Sequence, residues 1–180
     1  MIMELLAASA MTFGEQASSE PEGCPVAVRY VERFLARSPD RYVFSPTAQG
    51  WPSHRDQPVD ADESPIDPAF VEKINTTQPI GAVEACESLR SFLDAQGIPH
   101  TAEAIAEATW ANDVDKLARS VPYDRVMVVM TLPLLNGDGS EAFVQTGVFP
   151  HPRVCAMFSF TLDVTDPELP VTRWRPGPLC

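Results

Sequence analysis

The sequence predicts an α+β fold in which N-terminal helices pack on one face of a C-terminal antiparallel sheet of three to four strands. Before residue 120, apolar residues recur at helical spacing in several segments, whereas from Tyr123 onward they alternate as in strands. Eighteen prolines in 180 residues mark long connections between these segments. Because the helices precede the strands along the chain, the strands are expected to pair with one another and the helices to cover them.

The first predicted helix follows the segment PEGCP, whose Pro25 suits a first helical turn because no amide hydrogen is needed there. Its buried face consists of apolar residues at helical spacing, namely Ala27, Tyr30, Val31, Phe34 and Leu35. A short strand is predicted over residues 41–45. Residues 46–67 show no apolar period and are predicted to form a long loop.

Further helical segments are predicted before the strands begin. One starts at Asp67-Pro68, since an aspartate side chain accepts hydrogen bonds from the free amides of a first turn. A longer helix is predicted over residues 82–96, with Gly97 as its end. Thr101 is predicted to cap a third helix.

Alternating apolar and polar residues predict a sheet from four segments: residues 125–135, 141–149, 154–164 and, as a short edge strand, 170–176. In residues 154–164, the even-numbered side chains are expected on one face and the odd-numbered ones on the other.

The stretch LPLLNGDGSEAFV (132–144) poses a choice between a calcium loop and a hairpin turn. A calcium loop of the EF-hand type needs carboxylates at its first and twelfth positions, where this chain has Leu134 and Gln145. Glycines that directly follow Asn136 and Asp138 are typical of a hairpin turn between two strands. The sequence therefore predicts a turn.

Residues 24–180 are predicted to form a single domain, with a helical part over 24–120 and a sheet part over 123–175. Residues 1–20 are expected to be either an apolar arm or a degenerate signal-like segment. The order of helices and strands resembles the cystatin-like and nuclear-transport-factor-like folds, in which a curved sheet wraps helices. That resemblance concerns arrangement alone, because the chain carries no motif of either family, and it implies no function.

The chain has a formal net charge of −12 at pH 7, and residues 1–120 carry 19 acidic against 9 basic side chains. Such a surface repels the phosphate backbone of DNA and RNA, so no nucleic-acid partner is expected. The same charge attracts a basic protein and speeds its encounter with the chain. The expected partner is therefore a protein, basic in character, or a second copy of the chain.

Four cysteines, Cys24, Cys86, Cys155 and Cys180, show neither CxxC nor zinc-type spacing. Cys86 on a predicted helix and Cys155 on a predicted strand are expected to be buried thiols. Disulfide pairing is expected only if the chain is exported to an oxidising compartment.

Localisation stays open between export and the cytoplasm on the sequence alone. Residues 1–20 hold a short apolar run and an Ala-Ser-Ala that resembles a signal-peptidase site, yet no basic residue precedes the run. The run is too short to span a bilayer, so no integral membrane segment is expected.

No pattern of residues singles out a catalytic centre, and the catalytic residues are unknown at this stage. The three histidines are too scattered for a metal motif and no glycine-rich phosphate loop is present, so neither a metal nor a cofactor is predicted. An isomerase or cyclase built on a curved sheet would need a carboxylate or a histidine inside an apolar cavity. Asp163 and Asp124 are the candidates for that role.

The sheet face that the helices leave uncovered is the expected functional surface. Its expected contact residues are Met127, Val129, Phe143 and Met157, with Trp51 of the long loop beside them. An apolar face that the helices leave open is covered by a partner, by a second copy or by the long 46–67 loop packed across the sheet, or else it lines a pocket. The sequence therefore favours a small acidic domain that acts by binding a protein or itself, with a small-pocket enzyme as the alternative.

Overall fold

The structure, a computed structural model, describes residues 20–36, 39–48, 67–108, 125–151 and 154–179. The N-terminal segment 1–19, Trp51 and Asp124 lie outside these ranges. The helices are α1 (Cys24–Leu35), α2 (Pro68–Thr76), α3 (Ala82–Ala85), α4 (Glu87–Ala95) and α5 (Ala102–Ala108). The strands are β1 (Tyr42–Phe44), β2 (Val126–Met130), β3 (Leu134–Leu135), β4 (Glu141–His151), β5 (Val154–Asp163) and β6 (Val171–Leu179).

The six strands of the described ranges form one mixed sheet in the order β1-β2-β4-β5-β6, and the two-residue β3 pairs with β4. β1 runs parallel to β2, whereas the pairs among β2, β4, β5 and β6 are antiparallel. The predicted α+β class is confirmed. The sheet is larger than predicted and is not purely antiparallel, because β1 crosses over from the helical part of the chain to join β2.

The predicted starts and ends of the helices agree with the structure at three positions. The Asp67 carboxylate accepts a hydrogen bond from the Ala69 amide at 2.9 Å at the start of α2. The Thr101 hydroxyl accepts one from the Ala104 amide at 3.2 Å at the start of α5. Gly97 has a φ of +64° just after α4, a left-handed conformation that glycine adopts without steric cost.

The helix predicted over residues 82–96 is interrupted at Cys86. Cys86 has an extended backbone (φ −113°, ψ 110°), so the single turn of α3 ends at Ala85 and α4 begins anew at Glu87. Cys86 forms a disulfide with Cys24, which lies 62 residues earlier at the start of α1. The interruption therefore falls on the residue that links α1 to the α3–α4 segment.

The prediction that Cys86 and Cys155 are thiols is wrong. Cys86 and Cys155 are buried, as expected, but Cys24, Cys86 and Cys155 are all disulfide-bonded. Sequence spacing could not identify the bonds because disulfide partners meet in space and not along the chain.

The main core lies between helices α1, α3 and α4 and one face of the sheet, which we call the first face. Its largest fully buried side chains include Phe44, Leu89, Leu93, Met130 and Leu162. In β4 and β5 the even-numbered residues point to this face, as predicted for 154–164, because Ala142 pairs with Leu162 and Val144 with Phe160. Burial of this continuous apolar set supplies most of the driving force for folding.

Helix α2 packs on the opposite face of the sheet, which we call the second face. Phe70, Val71 and Ile74 of α2 form a separate buried cluster with Phe143 of β4, against which Leu134 packs. The prediction that the helices cover one face alone therefore requires correction. The apolar stripe of α2 was visible in the sequence, but a stripe does not specify which surface it will cover.

Residues 136–140 form the predicted hairpin turn. The Asn136 side chain accepts a hydrogen bond from the Glu141 amide at 2.9 Å, and the Asp138 carboxylate accepts one from the Ser140 amide at 2.9 Å. Gly139 has a φ of +74°. Hydrogen bonds to Ser140 lower the pKa of Asp138, so its carboxylate serves to hold the turn.

The two margins of the sheet differ in their backbone groups. Beside β1, the Phe44 amide donates to the Pro99 carbonyl oxygen at 2.9 Å. At the other margin, β6 contains Pro176 and Pro178, which have no amide hydrogen to offer a further strand.

Candidate functional site

The predicted contact residues lie on the second face, but most of them are covered. The register places Val129 opposite Gly147, Phe143 opposite Thr161 and Met157 opposite Gly147, so these side chains share that face. Val129, Phe143 and Met157 are buried, and Met127 is half-buried. A broad open surface through these residues is therefore absent from the described part of the chain.

Among the described residues, a small cleft lies beside α2 on the second face. It encloses about 100 Å³, which is close to the volume of one aliphatic side chain. Its walls are predominantly apolar, and they consist of Thr77, Gln78, Pro79, Ile80, Thr131, Leu132, Leu134 and Phe143. Of the predicted contact residues, Phe143 lines this cleft.

Two chain segments that contribute to the lining of the cleft lie side by side and are joined by backbone hydrogen bonding. We call residues 77–80, which connect α2 to α3, the strap; residues 131–133, which connect β2 to β3, are the connector. The Leu132 amide donates to the Ile80 carbonyl oxygen at 2.7 Å, and the adjacent Gly81 forms an antiparallel bridge with Thr131. The strap therefore runs alongside the connector like a short extra strand.

Ile80 is the exposed apolar residue of this cleft. Its side chain is 49% exposed, and Val171 at the start of β6 is the one other large apolar side chain exposed among the described residues. Complete burial of an exposed side chain of this size contributes roughly 1.5–3 kcal/mol. About half of the Ile80 surface is still open, so a ligand that covers it would gain part of that free energy.

A polar group lies next to the cleft. Gln145 and Thr131 are joined by three hydrogen bonds. The Thr131 backbone amide donates to the Gln145 backbone carbonyl, and the Gln145 backbone amide donates to the Thr131 hydroxyl, both at 3.0 Å. The Thr131 hydroxyl in turn donates to the Gln145 backbone carbonyl at 3.5 Å. The Gln145 side chain is buried, and its Nε2 donates to the Ser159 hydroxyl at 3.3 Å. Its Oε1 has no hydrogen-bond donor among the described residues.

The lining of the cleft contains no ionisable side chain, so it offers no general acid or base. Asp163, one of the sequence candidates, lies elsewhere on β5, and hydrogen bonds to Thr165 lower its pKa, as expected of a turn-forming carboxylate. The buried His100 is near Ile98 and Asp94, away from the cleft. Within the described ranges, no group of three or more histidine, cysteine, aspartate or glutamate residues could hold a metal ion.

Sequence reasoning missed Ile80 and the strap. Residues 76–81, TTQPIG, read as a plain connection between helices because they are short and contain Pro79 and Gly81. The available signal was a single isoleucine inside this otherwise polar connection. Gly81 at the end of this connection packs closely against the backbone of residues 46–48, because a Cβ there would lie 2.8 Å from the Pro46 carbonyl oxygen.

Comparison of the chain with protein-family models, with curated proteins and with solved structures found no match in any of the three. The resemblance to cystatin-like and nuclear-transport-factor-like arrangements therefore rests on the order of elements in the sequence alone.

Proposed function

We propose that this chain is a binding module without catalytic activity, which takes up one apolar side chain of a protein partner in the cleft. The supporting observation is the half-exposed Ile80 at a small apolar cleft whose floor includes the buried Phe143. Protein interfaces commonly depend on one anchor residue that fills such a pocket, with less important contacts around it.

The charge of the chain supports a partner with a basic surface. The net charge is −12, and acidic side chains such as Glu72 on α2 and Glu84 on α3 flank the strap in sequence. A basic partner would be drawn to this surface at long range, and the apolar anchor would then supply the affinity. The proposed ligand is therefore an apolar residue flanked by lysines or arginines.

A small contact is better supported than self-association through the sheet face. Val129, Phe143 and Met157 are buried, and the exposed large apolar residues of the described ranges are Ile80 and Val171. A stable homodimer usually buries well over 1,000 Å² of largely apolar surface, on the order of 2,000 Å² or more. Two isolated residues do not provide such a patch.

The enzyme alternative receives less support from the same cleft. A substrate pocket normally has a volume of roughly 300–1,000 Å³ and contains a few converging polar or ionisable groups. The cleft encloses about 100 Å³ and contains only threonine and glutamine as polar residues. Binding of a side chain suits these dimensions better than conversion of a substrate.

Oxidised cysteines support export. Cys24, Cys86 and Cys155 are disulfide-bonded, and such bonds persist in extracellular or periplasmic compartments and are reduced in most cytosols. Among the described helices, none is long and apolar enough to cross a membrane. We therefore place the binding activity in an oxidising compartment.

An array of synthetic heptapeptides tests the proposed ligand class. Each peptide carries a central leucine, flanked by lysines in one set and by glutamates in the other. We expect binding to the lysine set and a loss of at least about tenfold in affinity for the Ile80→Asp variant, because a charge at the anchor site must be desolvated.

Val171→Asp is the matched control, because Val171 is as exposed as Ile80 (49%) but lies at the start of β6. This variant should bind the lysine set as the unchanged chain does. Equal losses in the two variants, or binding to neither set, would contradict the proposed function.

A further inference from the structure

We infer that the Cys24–Cys86 disulfide holds the two walls of the cleft together, so that the cleft is formed in the oxidised chain and lost on reduction. The disulfide joins the first residue of α1 to the residue between α3 and α4. Both cysteines are fully buried. The use of the cleft rests on the proposed function, but the coupling between disulfide and walls can be measured without any partner.

On the Cys86 side, the disulfide leads directly to the strap. α3 is one turn of four residues, Ala82–Ala85, and a helix this short has little stability of its own. Gly81 precedes that turn, and the Ile80 carbonyl before it accepts the hydrogen bond from Leu132. The position of the strap therefore depends on where Cys86 is fixed.

On the Cys24 side, the neighbouring residue packs against the connector. A Cβ on Gly23 would lie 2.1 Å from the Pro133 carbonyl oxygen and 3.3 Å from Cδ1 of Leu132. The backbone at Gly23 thus lies directly against the connector, and only glycine allows this approach. The connector therefore fixes the position of the Cys24 end of the disulfide.

α1 is itself fixed on the sheet, so the disulfide joins the strap to a rigid support. The Arg29 guanidinium donates to the carbonyl oxygens of Val164 at 3.2 Å and Asp166 at 2.6 Å. Val31 and Leu35 of the same helix belong to the main core. Without the covalent bond, the strap would be retained by the Leu132–Ile80 hydrogen bond, the bridge at Gly81 and the packing of the single turn of α3. The Arg90 guanidinium also donates to the Val83 and Glu84 carbonyl oxygens of that turn, both at 2.8 Å, but it ties α3 to α4 and not to the connector.

The redox step has a simple balance. In forming the bond, the thiols of Cys24 and Cys86 lose two protons and two electrons to a protein disulfide of the oxidising compartment, which becomes a dithiol. Because both sulfurs are buried in the folded chain, the bond must form before the core closes around it. Binding at the cleft would then be restricted to chains that have passed through such a compartment.

Amide exchange at two adjacent residues tests the coupling. The Leu132 amide bonds to Ile80 of the strap, whereas the Thr131 amide bonds to Gln145 within the sheet. In the variant Cys24→Ala/Cys86→Val, which refills the space with apolar atoms, we expect Leu132 to exchange roughly a hundredfold faster, with Thr131 changed by less than about threefold.

The control variant is Cys155→Ser/Cys180→Ser, which removes the other cysteines. Cys155 lies six residues along β5 from Thr161, the strand partner of Phe143, a separation of about 20 Å. This control should leave the Leu132 exchange rate unchanged. A Leu132 amide that stays protected without the Cys24–Cys86 bond would overturn the inference, and so would equal acceleration at Thr131 and Leu132, which would indicate a general loss of stability.

A second measurement uses the Cys155→Ser/Cys180→Ser chain, in which Cys24–Cys86 is the remaining disulfide. Because both sulfurs are buried, this chain is unfolded in urea and refolded either oxidised or with a phosphine reductant present, and the two products are compared for exchange at Leu132 and Thr131, with the state of the bond followed by mass. Selective acceleration at Leu132 is expected in the reduced product, and its absence from a fully reduced product would overturn the inference. If no peptide of the array binds but the exchange rate of the Leu132 amide does depend on the disulfide, the proposed function is contradicted and the inference stands.

Discussion

Gln145 on β4 is 8% exposed, and its two side-chain polar atoms differ in their contacts. Nε2 donates to Ser159, whereas Oε1 has no donor among the described residues. A buried acceptor without a donor costs about 1–3 kcal/mol, more than the roughly 1 kcal/mol that one neutral hydrogen bond contributes. We therefore expect Gln145→Leu to raise the free energy of unfolding by about 1 kcal/mol, as measured by urea denaturation.

Thr146→Val provides the contrast, because Thr146 is also buried but its hydroxyl has a partner. It donates to the Tyr30 hydroxyl at 3.4 Å, and its loss would leave that half-buried tyrosine without the bond. This variant should be less stable than the unchanged chain. A Gln145→Leu variant that is also destabilised would show that its amide is better satisfied than the geometry indicates.

Glu20 supplies the side-chain cap that the N-cap residue of α4, Cys86, does not provide. The Ser88 amide donates to its Oε1 at 2.6 Å, and this bond lowers the pKa of Glu20 from its ordinary value of 4.5. A lowered folded-state pKa means that the contribution to stability is present above the ordinary pKa and disappears as the pH falls through the lowered value. Glu20→Gln should therefore be more destabilising at pH 7 than at pH 3, in urea denaturation at both pH values.

Glu22→Gln is the control for that titration, since Glu22 is an exposed carboxylate two residues away. It removes a carboxylate from the same segment and leaves the hydrogen bond between Glu20 and the Ser88 amide in place. A pH-independent effect of Glu20→Gln would mean that its charge does not act on the start of α4.

At the level of elements, α2 is held by a small cluster of its own. Phe70, Val71 and Ile74 pack with Phe143, apart from the main core. Phe70→Ala should remove about 3 kcal/mol of packing, and we expect the loss to appear as local opening of α2. The measurement is amide exchange, in which the Val71 amide should lose protection and the amides of α4 should keep theirs.

Leu89→Ala is the comparison for that experiment, because Leu89 is fully buried in the main core. It should reduce protection in α4 and throughout the sheet. If Phe70→Ala reduces protection in α4 as strongly as in α2, the two clusters unfold as one unit.

The elements also show which parts of the fold were predictable from the sequence. The change of period near Tyr123, the caps at Asp67 and Thr101 and the face alternation in β5 are local patterns, and the structure agrees with them wherever it describes those residues. Local patterns determine helix ends and strand faces because they depend on residues a few positions apart.

The features that the sequence did not predict depend on distant residues. The interruption at Cys86 lies inside a regular helical pattern, since Val83, Leu89 and Leu93 keep their spacing across it. β1 has only three residues, and its parallel pairing with β2 joins positions more than eighty residues apart. The cleft residue Ile80 was missed because its contact is also distant along the chain: its carbonyl oxygen accepts a hydrogen bond from Leu132 of the connector between β2 and β3.

For the whole molecule, the excess of negative charge should affect stability. A net charge of −12 on 180 residues produces repulsion that is stronger in the compact chain than in the expanded one. Salt screens this repulsion, with a Debye length of about 10 Å at 0.1 M. We therefore expect the urea midpoint to rise between 10 mM and about 300 mM sodium chloride; a midpoint that falls would show that favourable charge pairs dominate.

The margins of the sheet determine how copies of this molecule meet. At β1 the outward amide of Phe44 is occupied by Pro99, and in β6 two of the residues are prolines that cannot donate. Fibre growth by stacking one chain's strand on the next is thereby obstructed at both ends of the sheet. Concentrated solutions should consequently resist amyloid formation, and recognition of other proteins is left to side chains instead of shared backbone ladders.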